Sequence, residues 1–162
     1  MDRRNILKAA AGAAHVLPVG LTVGAQAQAA MDRMKVAALE GGDFSTMTSE
    51  LARDKSNSAA IKTFAGLEIE EQAATARAFG GRPGTTGLTR RHKEMVDELS
   101  ALSGDEFDRM YVRGQIMGHR ELLKIHQDYA RNGSDPMARG ASIVGITGIM
   151  THLAMLNGMR QA

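Results

Sequence analysis

Side chains that could do chemistry recur at helical spacing in this sequence. Within Asp105–Arg131, His119 and His126 stand seven residues apart. At about 100° per residue both fall in the apolar arc of Phe107, Tyr111, Gln115, Leu122 and Tyr129, opposite Arg109, Arg113, Arg120, Lys124 and Arg131. Within 58–79 the stripe Ile61, Phe64, Ala65, Ala76, Phe79 also carries Glu68 and Gln72, and His152 sits in a later stretch, Gly140 to Met159, that has no Lys, Arg, Asp or Glu. Ser45 and Thr48 fall between Met34, Ala38 and Ala52.

A carboxylate and imidazoles turned into a core have two uses. They can hydrogen-bond to one another and fix helix register. Alternatively, Glu68, His119 and His152 can bind a divalent ion such as zinc, manganese or iron, for which an N/O donor set is suited. Convergence of the three side chains on one point within about 5 Å favours the ion, because ligands lie only about 2.0–2.2 Å from it. Pairing off with backbone, or lying in separate layers, favours the structural role. His126 is a peripheral candidate, a core or rim histidine. Met155 and Met159, three and seven residues after His152, and the pair Met31 and Met34 could offer thioethers to Cu(I). Methionine equally fills irregular cores, which makes copper the lesser reading. His92, next to Arg90 and Arg91, is expected on a solvated face.

Holding such side chains together requires long helices, and the chain reads as little else. Helices are expected over 31–55, 58–79, 89–102, 105–131 and 136–160, separated by the Pro/Gly break Gly80–Gly87 and the junction Asn132–Pro136. Asp105 is the expected N-cap of the fourth, Asn132-Gly133 its stop, and Asp135 before Pro136 the start of the fifth. Alternating strand patterns are nearly absent, so the fold class is all-α: an antiparallel four-helix bundle with a short connecting helix. Gly41-Gly42 inside the first helix calls for a kink or a close crossing. In Gly140–Met159, nine of twenty residues are Gly, Ser, Thr, His or Asn, which favours a core helix over a membrane span. There, Gly140, Gly145 and Gly148 would let a neighbour approach.

Composition bounds the rest. With 162 residues there is room for one domain, and with no Cys there are no disulfides, thiolate nucleophiles or Cys-type zinc sites. No Ser/His/Asp arrangement, P-loop or Gly-x-Gly-x-x-Gly motif is complete, so no catalytic residue is assigned and the chain reads as non-enzymatic. Residues 1–29 have the layout of an export signal: Arg3, Arg4 and Lys8, a soft apolar run from Ala9 to Val23, then A-x-A sites at Ala25/Ala27 and Ala27/Ala29. Arg3-Arg4 is similar to the twin-arginine pattern, with an ordinary Sec signal as the alternative; both lead to the periplasm. The domain is then 30–162. Loss of Asp2, Arg3, Arg4 and Lys8 leaves 17 of 20 basic and 17 of 18 acidic residues, so the net charge of +2 lies in the signal and argues for no nucleic-acid partner. A second copy or an envelope protein is the partner expected.

From Met34 to about Leu156 the chain resembles the bacterial family catalogued as domain of unknown function 4142. The resemblance is carried by AALEGGDFSTMTSELA (Ala37–Ala52), IKTFA (Ile61–Ala65), LSALSGDEFDRMYV (Leu99–Val112), Gly118-His119, the SDP at Ser134–Pro136 and His152-Leu153. It implies an exported outer-membrane or periplasmic protein with a ferritin-like helical bundle, and no established biochemical role. It also implies four inward polar positions, with an acidic residue where Ser45 stands and a His where Gln72 stands. His119 and His152 keep the pattern, Glu68 offers a replacement carboxylate one turn before Gln72, and His126 is an additional imidazole. The Glu and Glu-x-x-His set of a di-iron centre is absent.

Overall fold

The structure, a computed structural model, describes residues 19–161, with side chains over 33–160. Residues 1–18 of the expected signal lie outside the described residues. Five helices follow one another: α1 (Val19–Lys55), α2 (Ala59–Ala78), α3 (Arg90–Ala101), α4 (Gly104–Asn132) and α5 (Pro136–Gln161), with no strand among the described residues. The all-α expectation holds, and four of the five helices keep their expected bounds to within a residue or two. α1 differs, beginning at Val19 rather than Met31. The Ala- and Gln-rich run before Met31 has high helix propensity, which continues the helix backward.

Local chemistry sets the joints. Ser58 and Thr89 cap α2 and α3, their hydroxyls accepting from the backbone N–H of Ile61 and His92. Asp135 opens α5 as expected, its Oδ1 accepting from Met137 and Ala138 while its other oxygen takes Lys35 Nζ at 2.8 Å. Asp105 is not the cap of α4: Ser103 occupies that place and Gly104, at φ +58°, makes the entry turn, which puts Asp105 inside the first turn. Asp43 on α1 is buried and accepts from the backbone N–H of Gly84, Thr86 and Gly87, tying the Pro/Gly break to the bundle.

α1 packs on α2 and α4, and α5 on α4 and α2, which closes a ring of four helices. Both hairpins, α1/α2 and α4/α5, are antiparallel with short turns. α2 and α4 run the same way, Phe64 meeting Tyr111 toward one end and Phe79 meeting Tyr129 toward the other. The link between them must therefore return along the bundle, and α3 lies within it, packed over α1 and α4. One apolar cluster (Phe64, Phe107, Tyr111, Leu156) fills one end and a smaller one (Ala38, Phe79, Tyr129, Ala138) the other.

The Gly41-Gly42 pair makes a close crossing. A Cβ on Gly41 would stand 2.8 Å from Leu122 Cδ2 of α4, and one on Gly42 2.8 Å from Gln72 Oε1 of α2. α5 is less central than expected. It buries a single stripe, Ala138, Ser142, Ile149, His152 and Leu156, and leaves Met137, Ile143, Val144 and Met150 exposed. By length and composition alone it could cross a membrane, with a mean hydropathy of 1.3 over its most apolar window.

Candidate functional site: a buried glutamate and two histidines

Between the two apolar clusters the bundle axis carries a polar layer. α2 contributes Glu68, α4 His119 and α5 His152, each on its helix's inward stripe, and all three are buried. Glu68 Oε2 lies 3.3 Å from His119 Nε2 and 2.9 Å from His152 Nδ1, and the two ring nitrogens are 3.2 Å apart. One donor atom from each residue thus forms a triangle, and the sequence-expected trio is brought to one point.

The outer edges of both rings are held. His119 Nδ1 is 2.9 Å from the backbone carbonyl of Gln115, which can only accept, so Nδ1 carries the hydrogen and a neutral His119 turns its Nε2 lone pair inward. His152 has a carboxylate at each ring nitrogen, Glu68 Oε2 2.9 Å from Nδ1 and Glu71 Oε2 3.5 Å from Nε2, so either nitrogen can carry the hydrogen. Glu68 Oε1 accepts from Ser45 Oγ at 2.6 Å and Gln72 Nε2 at 2.9 Å. Its Oε2 is buried and receives no directed hydrogen bond, although the two rings lie at contact distance. With both rings neutral and both hydrogens on the outer nitrogens, three lone pairs face one another across about 3 Å of buried core. That arrangement needs a positive charge at its centre, either a proton or a metal ion.

Titration follows from the same contacts. Burial alone would raise the Glu68 carboxyl, but the adjoining His119 and His152 rings, the His119 charge and the Ser45 hydroxyl outweigh it and hold the carboxyl well below the usual carboxylate range. His152 is raised, its contact with Glu68 exceeding the cost of burial. Burial raises Glu71.

Sequence reasoning passed over the support of this site. Gln115 donates from Nε2 to Thr48 Oγ1 at 2.8 Å, and its Oε1 lies 2.8 Å from the Ser45 hydroxyl, whose one proton is shared with the nearer Glu68; Ser49 and Tyr111 hydroxyls pair at 2.9 Å beside them. Ser45 and Gln72, standing where the family resemblance implies an acid and a His, both serve to orient Glu68. Glu71 is not among the residues the sequence singles out; its spacing of three from Glu68 is the signal available for it.

The remaining candidates lie elsewhere. His126 Nδ1 contacts Ser142 Oγ at 3.2 Å and its ring packs edge-on to Phe79, away from the trio. His92 is not solvated: it is buried, stacked on Phe44 with centroids 4.5 Å apart, because α3 lies flat on α1 and turns this ring inward. Met155 and Met159 pack against the larger apolar cluster and Met34 against the smaller one. Of the α5 glycines, Gly148 admits a neighbour, since a Cβ there would stand 2.8 Å from Glu71 Oε1, whereas Gly140 has open space around it.

Fold and site together define a class, a helical bundle with a carboxylate and two imidazoles converging in its core. A family model described as Domain of unknown function (DUF4142) matches residues 21–159, and the chain belongs to that family. No curated protein and no solved structure matches it.

Proposed function

We propose that the chain is an exported, ferritin-like helical bundle that binds one divalent ion through Glu68, His119 and His152. The observation that carries this reading is the donor triangle, with edges of 2.9, 3.2 and 3.3 Å. Three ligands each about 2.0–2.2 Å from one centre are about 2.8–3.6 Å apart in octahedral or tetrahedral geometry. The outer N–H groups support it further. Ligating histidines characteristically give their second N–H to a backbone carbonyl or a carboxylate; His119 has such a partner in the Gln115 carbonyl at 2.9 Å, and the Glu71 carboxylate stands 3.5 Å from the outer nitrogen of His152.

Two imidazoles and one carboxylate form a borderline-hard set that suits zinc, manganese or iron(II). Bound there, the ion would act as a Lewis acid with coordination positions left over, or as a structural clamp. The thioethers of Met34, Met155 and Met159 pack against apolar clusters, and Met31 lies outside the described side chains, so nothing in the trio favours copper. Ferritin-like topology is supported by two antiparallel hairpins joined by one long crossover, with α2 and α4 pointing the same way. Export is supported by Arg3-Arg4, the apolar run and the A-x-A sites, and the periplasm is the compartment this implies.

Elemental mass spectrometry of the untagged mature protein from its native periplasm, beside a His119→Ala/His152→Ala double variant, tests the site. Near one equivalent of a divalent metal in the wild type, lost in the variant, is the expected result. A metal-free wild type overturns it. The trio would then be a register-fixing polar layer, and the outward apolar face of α5 would become the surface to examine for an envelope partner or a second copy.

A further inference from the structure

Glu68 and His119 are sealed, at 0% and 1% exposure, while His152 retains 7%. That residual exposure opens on a groove of about 580 Å³ between α2 and α5, lined by Glu71, Ala74, Val144, Thr147, Gly148 and His152 among others. The small voids between α1 and α2 and between α1 and α4 hold about 10 Å³ each, too little for a hydrated cation. Within the groove, Glu71 is half-buried and its carboxylate reaches the outer edge of His152. It lies close over Gly148, where a Cβ would stand 2.8 Å from its Oε1.

We propose that this groove is the route by which a divalent cation reaches the trio, with Glu71 the first carboxylate it meets; the inference rests on the metal-site reading above. A hydrated dication cannot enter a dry core in one step. It must exchange waters for protein oxygens and nitrogens in turn, and an anion at the mouth both concentrates the ion and replaces the first of those waters. Glu71 Oε2, 3.5 Å from His152 Nε2, offers such an outer station, one ring-width from the inner donors. The charges agree: Glu68 and Glu71 together balance a dication in the low-dielectric interior.

Stopped-flow Co²⁺ uptake by metal-free full-length mature protein tests the route, using Glu71→Gln and two bulky substitutions at exposed positions on opposite walls, Thr147→Trp and Ala74→Trp. Because Thr147 and Ala74 are exposed, neither Trp has to be fitted into the core. The expected result is that each Trp slows association and release together by about tenfold, with the equilibrium affinity unchanged. Glu71→Gln is expected to slow association by about tenfold or more and to flatten its salt dependence. One equivalent of Co²⁺ bound at wild-type rates in all three variants overturns the route and leaves the site standing. No Co²⁺ binding by the wild type overturns both.

Discussion

Glu68 divides its carboxylate between two tasks, and the division explains why neighbours that are not donors to the triangle matter. Oε1 is fixed by Ser45 and Gln72, so Oε2 has one direction left, toward the histidines. Helical phase makes Glu68 and His119 legible in the sequence, since polar residues at inward positions stand out against an apolar stripe, whereas His152 is marked by its residue type and by the family resemblance. Glu71 and His92 are not legible in that way. The first packs over Gly148 on a helix far along the chain, and the second is buried by the packing of α3 on α1, where it stacks on Phe44. His126 yields a prediction independent of metal. Burial lowers it from 6.5 to about 4, so the folded protein keeps it neutral while the unfolded chain protonates. Its contribution is complete above pH 6.5 and is lost as pH falls toward 4, by about 3 kcal/mol at pH 4. Urea titrations at pH 7 and pH 4 are expected to show that His126→Phe loses about 3 kcal/mol less than wild type over that interval. An equal acid loss in both proteins would contradict the assignment.

At the scale of elements, glycine does opposite things at two places. Gly66 lies inside α2 with nothing within 4 Å of a Cβ, so Gly66→Ala adds helix propensity with no clash and is expected to stabilise by about 0.5–1 kcal/mol. Gly41→Ala gains the same propensity but places its methyl 2.8 Å from Leu122 Cδ2, a buried side chain with little room to move, and is expected to destabilise by about 1–2 kcal/mol. Paired thermal melts settle the contrast, and a Gly41→Ala gain equal to that of Gly66→Ala would show that α1 and α4 approach less closely. The Gly41-Gly42 crossing, four of the helices and the Asp135 cap can be read from spacing and propensity, since each depends on a few consecutive residues. The start of α1, the Ser103-Gly104 entry to α4 and the outward face of α5 resist such reading. For α5 the reason is physical: a helix whose charges, Arg139 and Arg160, stand only near its ends carries no charged stripe to mark its solvent side, so its sequence looks equally suited to core, surface and membrane.

Across the whole molecule the site joins pieces that the chain connects only loosely. Glu68 comes from the α1/α2 hairpin and both histidines from the α4/α5 hairpin, with the long α3 crossover between them. An ion held by all three therefore bridges two halves of the bundle, and it binds the folded state alone because no unfolded conformation gathers these ligands. Mass action fixes the size of the effect: free ion at about a hundred times its dissociation constant adds about 2.7 kcal/mol. In a domain of this length that corresponds to roughly 5–10 °C in Tm. The wild type at pH 7 is expected to melt that much higher with Zn²⁺ or Mn²⁺ than after chelation, and the His119→Ala/His152→Ala variant to melt at one temperature in both conditions. The shift should shrink as pH falls, because the ion must displace the proton that Glu68 holds on His152, whose affinity for it is raised. A Tm that ignores both ion and chelator would mean that this proton, and no metal, supplies the positive charge the three donor atoms require.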